Sequence, residues 1–306
     1  MNDLTLASRR RFLAGAATLP LVLAAGERHA EATAAPPETT LPSPKYTLSV
    51  NLEMMFPREM SFPERLQRVA DEGAKAYSFW AFGGKDLDKM RAIQDRYKMT
   101  CASITGANKT GWNTGLTKTG YEKEFLTDFS EAVAVAKKMG VPNLITFVGA
   151  IQKDVAPETQ HAQIVTGLKK AGDIAGAAGV FLTLEPLNAV ESPQMSVNTT
   201  VYAYKIIAEV AHPHVKVDFD LYHRQLGEGN LINTLKTGLE KGYVTFVEVG
   251  DVPGRFEPGT GEVDYARIFR VLREMNYAGY VGMEHRAQLT YKEAIARVRR
   301  LAGVTA

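Results

Sequence analysis

The sequence predicts a single-domain α/β protein folded as a (β/α)₈ barrel, a TIM barrel, and three observations carry that expectation. From Lys45 onward, eight β-rich runs alternate with amphipathic helical runs, the order that builds a parallel sheet with helices outside it. Four acids, Glu185, Asp220, Glu248 and Glu284, each stand near the end of a short apolar run, at separations of 35, 28 and 36 residues. That interval is about one strand plus one helix of such a barrel, whose strand ends converge on one mouth. The competing doubly wound sheet carries a glycine-rich phosphate turn after its first strand, and no G-x-G-x-x-G follows the first run.

Along the chain, residues 1–34 read as an export signal. Ser8-Arg9-Arg10-Arg11-Phe12-Leu13 precedes a weakly hydrophobic run from Ala14 to Gly26, and small residues Ala32-Thr33-Ala34 follow; this is the form of a twin-arginine signal with its cleavage region. The apolar run has 13 residues and contains Pro20, whereas a spanning helix needs about 20. The expected partner during export is the twin-arginine translocase, the expected location is the periplasm, and no membrane attachment is expected after processing. Residues 35–44, from Ala35-Pro36-Pro37 to Pro42-Ser43-Pro44, form a proline-rich linker that cannot hold a helix. Residues 45–306 are the barrel.

The eight strand candidates begin at Tyr46, Ala74, Met99, Asn143, Val180, Val215, Tyr243 and Tyr280. Helix signals lie between them. Ser61-Phe62-Pro63-Glu64 has the pattern of a capping box, Gly140 ends the run before the fourth strand, and Asp264 opens a helix whose Ile268, Phe269, Val271 and Leu272 form an apolar stripe. Side chains two apart on a strand share a face, so Asp218 points the same way as Asp220 but deeper, while His285 points away from Glu284.

Composition narrows the function classes. The formal charge is +2, and without residues 1–34, which hold four arginines against three acids, it is +1; a near-neutral chain has no electrostatic footprint for nucleic acid. Cys101 is the only cysteine, so no intrachain disulfide forms, and its setting on a strand reads as a small buried residue. Four carboxylates gathered at one mouth repel unless a cation sits among them. Buried charge must be paired or bound to a metal, and all-oxygen ligands select a hard divalent ion, Mg²⁺ or Mn²⁺. Glu185, Asp220, Glu248 and Glu284 are therefore the expected metal ligands.

Several segments resemble the hydroxypyruvate isomerase family, within the wider group of xylose-isomerase-like barrels that includes ketose 3-epimerases. The resemblance runs from about Ser49 to Ala287. It is carried by Leu184-Glu185-Pro186-Leu187-Asn188, by Asp220-Leu221-Tyr222-His223 and by Glu257-Pro258-Gly259-Thr260-Gly261-Glu262, with Asn51-Leu52, Met54, Phe56 and Gly111-Trp112 in support. It implies that Glu185 and Glu284 bind the metal and also handle protons, and that Asp220 is the ligand of the sixth strand. The chain departs from the family at three places. Glu248 stands where a neutral Gln or His is usual, His285-Arg286 where an aromatic residue and Lys are usual, and Ser78 where an acid is expected. These departures bear on the substrate rather than on the metal set.

The implied chemistry is proton transfer on an α-hydroxycarbonyl compound. The metal draws charge from the carbonyl and stabilises an enediolate, while Glu185 and Glu284 act as opposed base and acid. His223, placed in the loop past the sixth strand, is expected to donate a hydrogen bond to a substrate oxygen, and Arg255 to hold a carboxylate by a bidentate contact. Trp80 and Trp112 either cover the mouth or pack, and Glu257–Glu262 reads equally as a glycine-rich turn. The leading expectation is a metal-dependent isomerase interconverting an aldose/ketose-type pair such as hydroxypyruvate and tartronate semialdehyde. A keto-sugar 3-epimerase or lyase uses the same proton abstraction. A non-catalytic periplasmic binding protein would have no use for two opposed glutamates.

Overall fold

A computed structural model describes residues 41–305. The export signal, and all of the linker before Leu41, lie outside the described residues.

Eight parallel strands close into a barrel in sequence order. The elements are β1 (Thr47–Asn51), α1 (Phe62–Asp71), β2 (Ala76–Ser78), α2 (Leu87–Tyr97), β3 (Thr100–Thr105), α3 (Glu122–Met139), β4 (Asn143–Thr146), α4 (Pro157–Ala178) and β5 (Phe181–Leu184). They continue with α5 (Thr200–Val210), β6 (Val215–Asp220), α6 (Leu221–Gly227), α7 (Leu231–Glu240), β7 (Val244–Val249), α8 (Tyr265–Glu274), β8 (Tyr280–Met283) and α9 (Tyr291–Ala302). Each expected apolar run supplies one strand. β1 pairs with β8 through Leu48 and Val281, which closes the barrel and leaves no exposed sheet edge.

The helix ends follow local chemistry. Gly140 takes a left-handed φ of +70° and stops α3. The Asp264 carboxylate accepts the Arg267 N–H at 2.9 Å and starts α8, whose Ile268, Phe269, Val271 and Leu272 are buried against the barrel. The capping box at Ser61 does not form. Ser61 stands at the start of α1, but its hydroxyl donates to the Glu64 carboxylate at 3.3 Å instead of accepting a backbone N–H. Cys101 is buried on β3, as its setting suggested.

The strand register fixes which side chains share the interior. Asp218 is level with Phe246, Asp220 with Glu248, and Glu248 with Gly282. Gly282 is needed for closeness: a Cβ there would stand 3.0 Å from Glu248 Oε1 and 3.1 Å from Phe246 Cε1. Branched apolar residues usually fill such an interior, but here Ser49, Ser78, Thr183, Asp218 and Glu248 are buried with side-chain oxygens that find no hydrogen-bond partner among the described residues. The polar well lies directly under the mouth. No helix among the described residues is long and apolar enough to cross a membrane.

Candidate metal centre

Four strand ends deliver the four acids. Glu185 follows β5 directly, Asp220 is the last residue of β6, Glu248 is the fifth residue of β7, and Glu284 follows β8. One carboxylate oxygen from each lies within 4.8 Å of the others. His223 forms a second such group with Glu185 and Asp220. All four acids are buried, and both oxygens of Glu248 lack a hydrogen-bond partner among the described residues. An all-oxygen set containing an unpartnered buried carboxylate fits a hard divalent cation.

Electrostatics in the cluster point the same way. Burial, followed by repulsion from Asp218, Glu284 and Asp220, holds the Glu185 carboxyl well above the usual range. Burial, then Asp218 and Glu284, does the same to Glu248. Asp218, one layer deeper, is raised by burial and then by Asp220 and Glu284. Such upward shifts are what a shared site of like charges produces. Arg255 is the cation nearest to hand. Its Nη2 donates to Asp220 Oδ2 at 2.7 Å and to Glu284 Oε2 at 2.8 Å. Burial works against the Arg255 charge, but Glu284, Asp220, Glu185 and Glu248 outweigh it and raise its pKa.

The expectation that Arg255 stands ready for a substrate carboxylate is thus modified: one of its terminal nitrogens is spent on two of the protein's own acids. Arg255 also sits in the left-handed region at φ +56°, a conformation that costs a side-chain-bearing residue about 1 kcal/mol or more. Backbone bonds impose it, from Arg255 N–H to Asp251 O at 2.9 Å and from Arg286 N–H to Arg255 O at 2.8 Å.

His223 is on a helix, not in a loop. β6 runs straight into α6, and Asp220 serves both, its Oδ1 accepting the Tyr222 N–H at 2.8 Å. The His223 ring is oriented by Asn188, whose side-chain amide and backbone N–H approach Nδ1 at 2.6 and 3.3 Å. Nδ1 faces two N–H donors and accepts, which leaves the proton on Nε2; that nitrogen faces Glu185 and Asp220 at 3.6 Å each, with Arg255 Nη1 at 3.4 Å. Burial pushes the His223 pKa down to about 4, so the ring is neutral and can donate once. His285 turns away from the cluster, with Nδ1 3.0 Å from Arg286 O.

Above the acids opens a cavity of about 440 Å³ whose wall includes Trp80, Trp112, Phe147, Glu185, Glu191, His223, Arg255 and Glu284. Three relationships escaped the sequence reading. The Trp80 indole N–H donates to Glu284 Oε1 at 2.5 Å. Glu191 accepts from Tyr222 OH at 2.6 Å and from the Asn188 amide at 3.0 Å; burial opposes its charge, but these bonds hold its carboxyl below the usual range. Asp251 organises the loop after β7: its Oδ2 accepts the N–H groups of Gly259, Thr260 and Gly261, and its Oδ1 those of Val252 and Val263. The Glu257–Glu262 segment is therefore a turn built on Asp251, with Glu257 buried and accepting the Gln288 N–H at 2.9 Å. An acid eight residues before a Gly-x-Gly turn was not, by itself, a signal for that role.

The pattern of the family described as xylose isomerase-like TIM barrel matches residues 66–301. Hydroxypyruvate isomerase of Escherichia coli (strain K12) is 28% identical over 245 residues, covering 79% of this chain and 94% of the bacterial enzyme. The 2-oxo-tetronate isomerase of Cupriavidus necator is 28% identical over 242 residues, covering 78% and 92%. Among solved structures, a protein described as AP endonuclease, family 2, from Brucella melitensis superposes with a TM-score of 0.75 at 24% identity, covering 85% of this chain and 99% of its own. The chain belongs to the xylose isomerase-like TIM barrel family, as one of its isomerase enzymes.

Proposed function

We propose that the protein is a divalent-metal-dependent isomerase of a small α-hydroxycarbonyl compound, moving a proton between neighbouring carbons with Glu185 and Glu284. The observation that carries this reading is the meeting of Glu185, Asp220, Glu248 and Glu284 within 4.8 Å, with Glu185 and Glu284 also lining the cavity. A divalent ion held there, Mg²⁺ or Mn²⁺, would draw charge from the substrate carbonyl and so acidify the adjacent C–H. Glu185 and Glu284, reaching in from β5 and β8, flank the space above the cluster as base and acid. His223 Nε2–H donates to a substrate oxygen, and its neutral state keeps a further charge out of the exchange.

The substrate class is a hydroxy keto acid of the hydroxypyruvate type. The keto-sugar reading has one observation in its favour: a cavity of about 440 Å³ whose wall carries the anionic Glu191 as well as Arg255 accommodates a larger, neutral polyol better than a three-carbon anion. Epimerisation there would use the same two glutamates. We further propose that residues 1–34 direct export by the twin-arginine route, which the Arg9-Arg10 pair and the short apolar run support.

The deciding experiment is incubation of Mn²⁺- or Mg²⁺-loaded protein with hydroxypyruvate and a panel of ketoses in D₂O, with C–H exchange and product followed by NMR. Exchange at the carbon beside the carbonyl is the expected result. No exchange into any member of the panel would overturn the isomerase reading.

A further inference from the structure

Trp80 is an exposed aromatic at the mouth whose polar atom is not used for water. The indole is 40% exposed, yet its N–H is spent on Glu284 Oε1, at 2.5 Å. The Glu284 carboxylate is 4% exposed and its other oxygen, Oε2, accepts Arg255 Nη2 at 2.8 Å. Each oxygen of Glu284 is thus held by a different donor, one from the end of β2 and one from the loop after β7. Among the described residues Glu185 has no such clamp, and His223 Nε2 stands 3.6 Å from its Oε1. The asymmetry between the two glutamates comes from the residues that surround them.

The main chain at Trp80 is fixed from both sides. Its N–H donates to Glu53 Oε1 at 3.0 Å, and its carbonyl accepts the Thr105 N–H at 3.3 Å. Glu53 is held in turn by Lys85 Nζ at 3.1 Å. Phe79, the preceding residue, is buried on the outer side, stacked on Tyr77 with ring centroids 6.3 Å apart, so the chain alternation turns Trp80 back over the mouth. An aromatic ring serving only as a cover would need no hydrogen bond to a buried acid. A charge-assisted N–H···O⁻ bond is both directional and stronger than a neutral one.

We propose that Trp80 is a positioning residue for Glu284: its indole N–H fixes Oε1 while Arg255 fixes Oε2, so that the carboxylate offers one set orientation to the cation and to the reacting carbon. This rests on Glu284 having the role proposed above. It differs from mere covering in a checkable way, because phenylalanine keeps the ring and loses the donor. Misplacement of a reacting group by about 1 Å can lower turnover about 100-fold.

Trp80 and Trp112 are the only tryptophans in the sequence, so a ¹H–¹⁵N correlation spectrum resolves one indole N–H each, assigned by Trp80→Phe. In the metal-free protein Glu284→Gln should move the Trp80 resonance upfield, the mark of a lost carboxylate acceptor, and leave that of Trp112 in place. Trp80→Phe should lower kcat by about 10- to 100-fold with KM little changed. A Trp80 resonance indifferent to Glu284→Gln overturns the contact; a Trp80→Phe enzyme with wild-type kcat overturns the positioning role. The resonance is read without turnover, so failure of the role proposed for Glu284, seen as wild-type turnover in Glu284→Gln, is distinguishable from failure of this one.

Discussion

One nitrogen of Arg255 joins two strand ends: Nη2 lies 2.7 Å from Asp220 Oδ2 at the end of β6 and 2.8 Å from Glu284 Oε2 after β8. It supplies a positive charge that five gathered carboxylates, those of Glu185, Asp218, Asp220, Glu248 and Glu284, need before any divalent ion arrives. The Arg255 side chain is little exposed, and removing one member of a buried ion pair leaves the others uncompensated. Arg255→Ala should lower the unfolding free energy of the EDTA-treated protein by about 3 kcal/mol, measured by urea denaturation. Saturating Mn²⁺ should recover part of the loss, since a ligand of the native state stabilises it. Equal midpoints for wild type and variant in EDTA would show that Arg255 is not the internal counter-charge.

Replacing either flanking glutamate separates ligation from proton transfer. Glutamine keeps the size of glutamate and one ligand oxygen but accepts no proton, so Glu185→Gln and Glu284→Gln should retain much of the Mn²⁺ binding and lose at least about 100-fold in kcat. Asp220→Ala, which removes a ligand and the partner of Arg255 together, should abolish tight Mn²⁺ binding. Titration calorimetry alongside steady-state kinetics distinguishes the two patterns. Near-native turnover in either glutamine variant on the true substrate would dispose of the two-glutamate mechanism.

The export reading is testable apart from the chemistry. A reporter fused behind residues 1–44 should cross the inner membrane only when Arg9 and Arg10 are intact, since the route is selected by that pair. Transport that survives replacement of both by Lys would assign the segment to another pathway.

Much of the barrel was legible in the sequence because the strands are buried on both faces and read as separate apolar runs, and because Glu185, Asp220, Glu248 and Glu284 recur at the strand-plus-helix interval. What escaped depends on side-chain directions that periodicity does not encode. Nothing in Asp220-Leu221-Tyr222-His223 marks the absence of a loop, and only the Asp220 carboxylate accepting the Tyr222 N–H shows how strand becomes helix within one residue. Asp251 gathers five backbone N–H groups from up to twelve positions downstream, a relation visible only once the turn is closed. Trp80 reads as a rim aromatic until its N–H is found on an acid 204 positions away. At Ser61 the motif was present and the bond was not, because Glu64 offered the hydroxyl a competing acceptor.

Glu248 connects the charge balance to the pH dependence of the fold. Its carboxyl, with those of Glu185 and Asp218, is held above the ordinary range, by burial first and by neighbouring acids next. A carboxyl whose folded pKa is raised binds its proton more tightly folded than unfolded. Its favourable contribution is complete below the unfolded value, about 4.3 for Glu, and is lost as pH rises through the folded one. The metal-free protein should therefore lose stability as pH rises from the ordinary carboxylate range, and Glu248→Gln, which cannot ionise, should flatten that loss in EDTA. The same substitution removes one negative charge from the cluster, so it should weaken Mn²⁺ binding while leaving turnover intact or increased once Mn²⁺ is saturating, because fewer anionic ligands leave more of the ion's pull for the carbonyl. It should also shift preference toward anionic substrates such as hydroxypyruvate over neutral ketoses. Thermal melts across pH in EDTA and turnover on both substrate classes at saturating Mn²⁺ measure the two halves. A Glu248→Gln enzyme that keeps its metal and loses all activity would mean that Glu248 itself moves a proton, and the assignment of that work to Glu185 and Glu284 alone would fall.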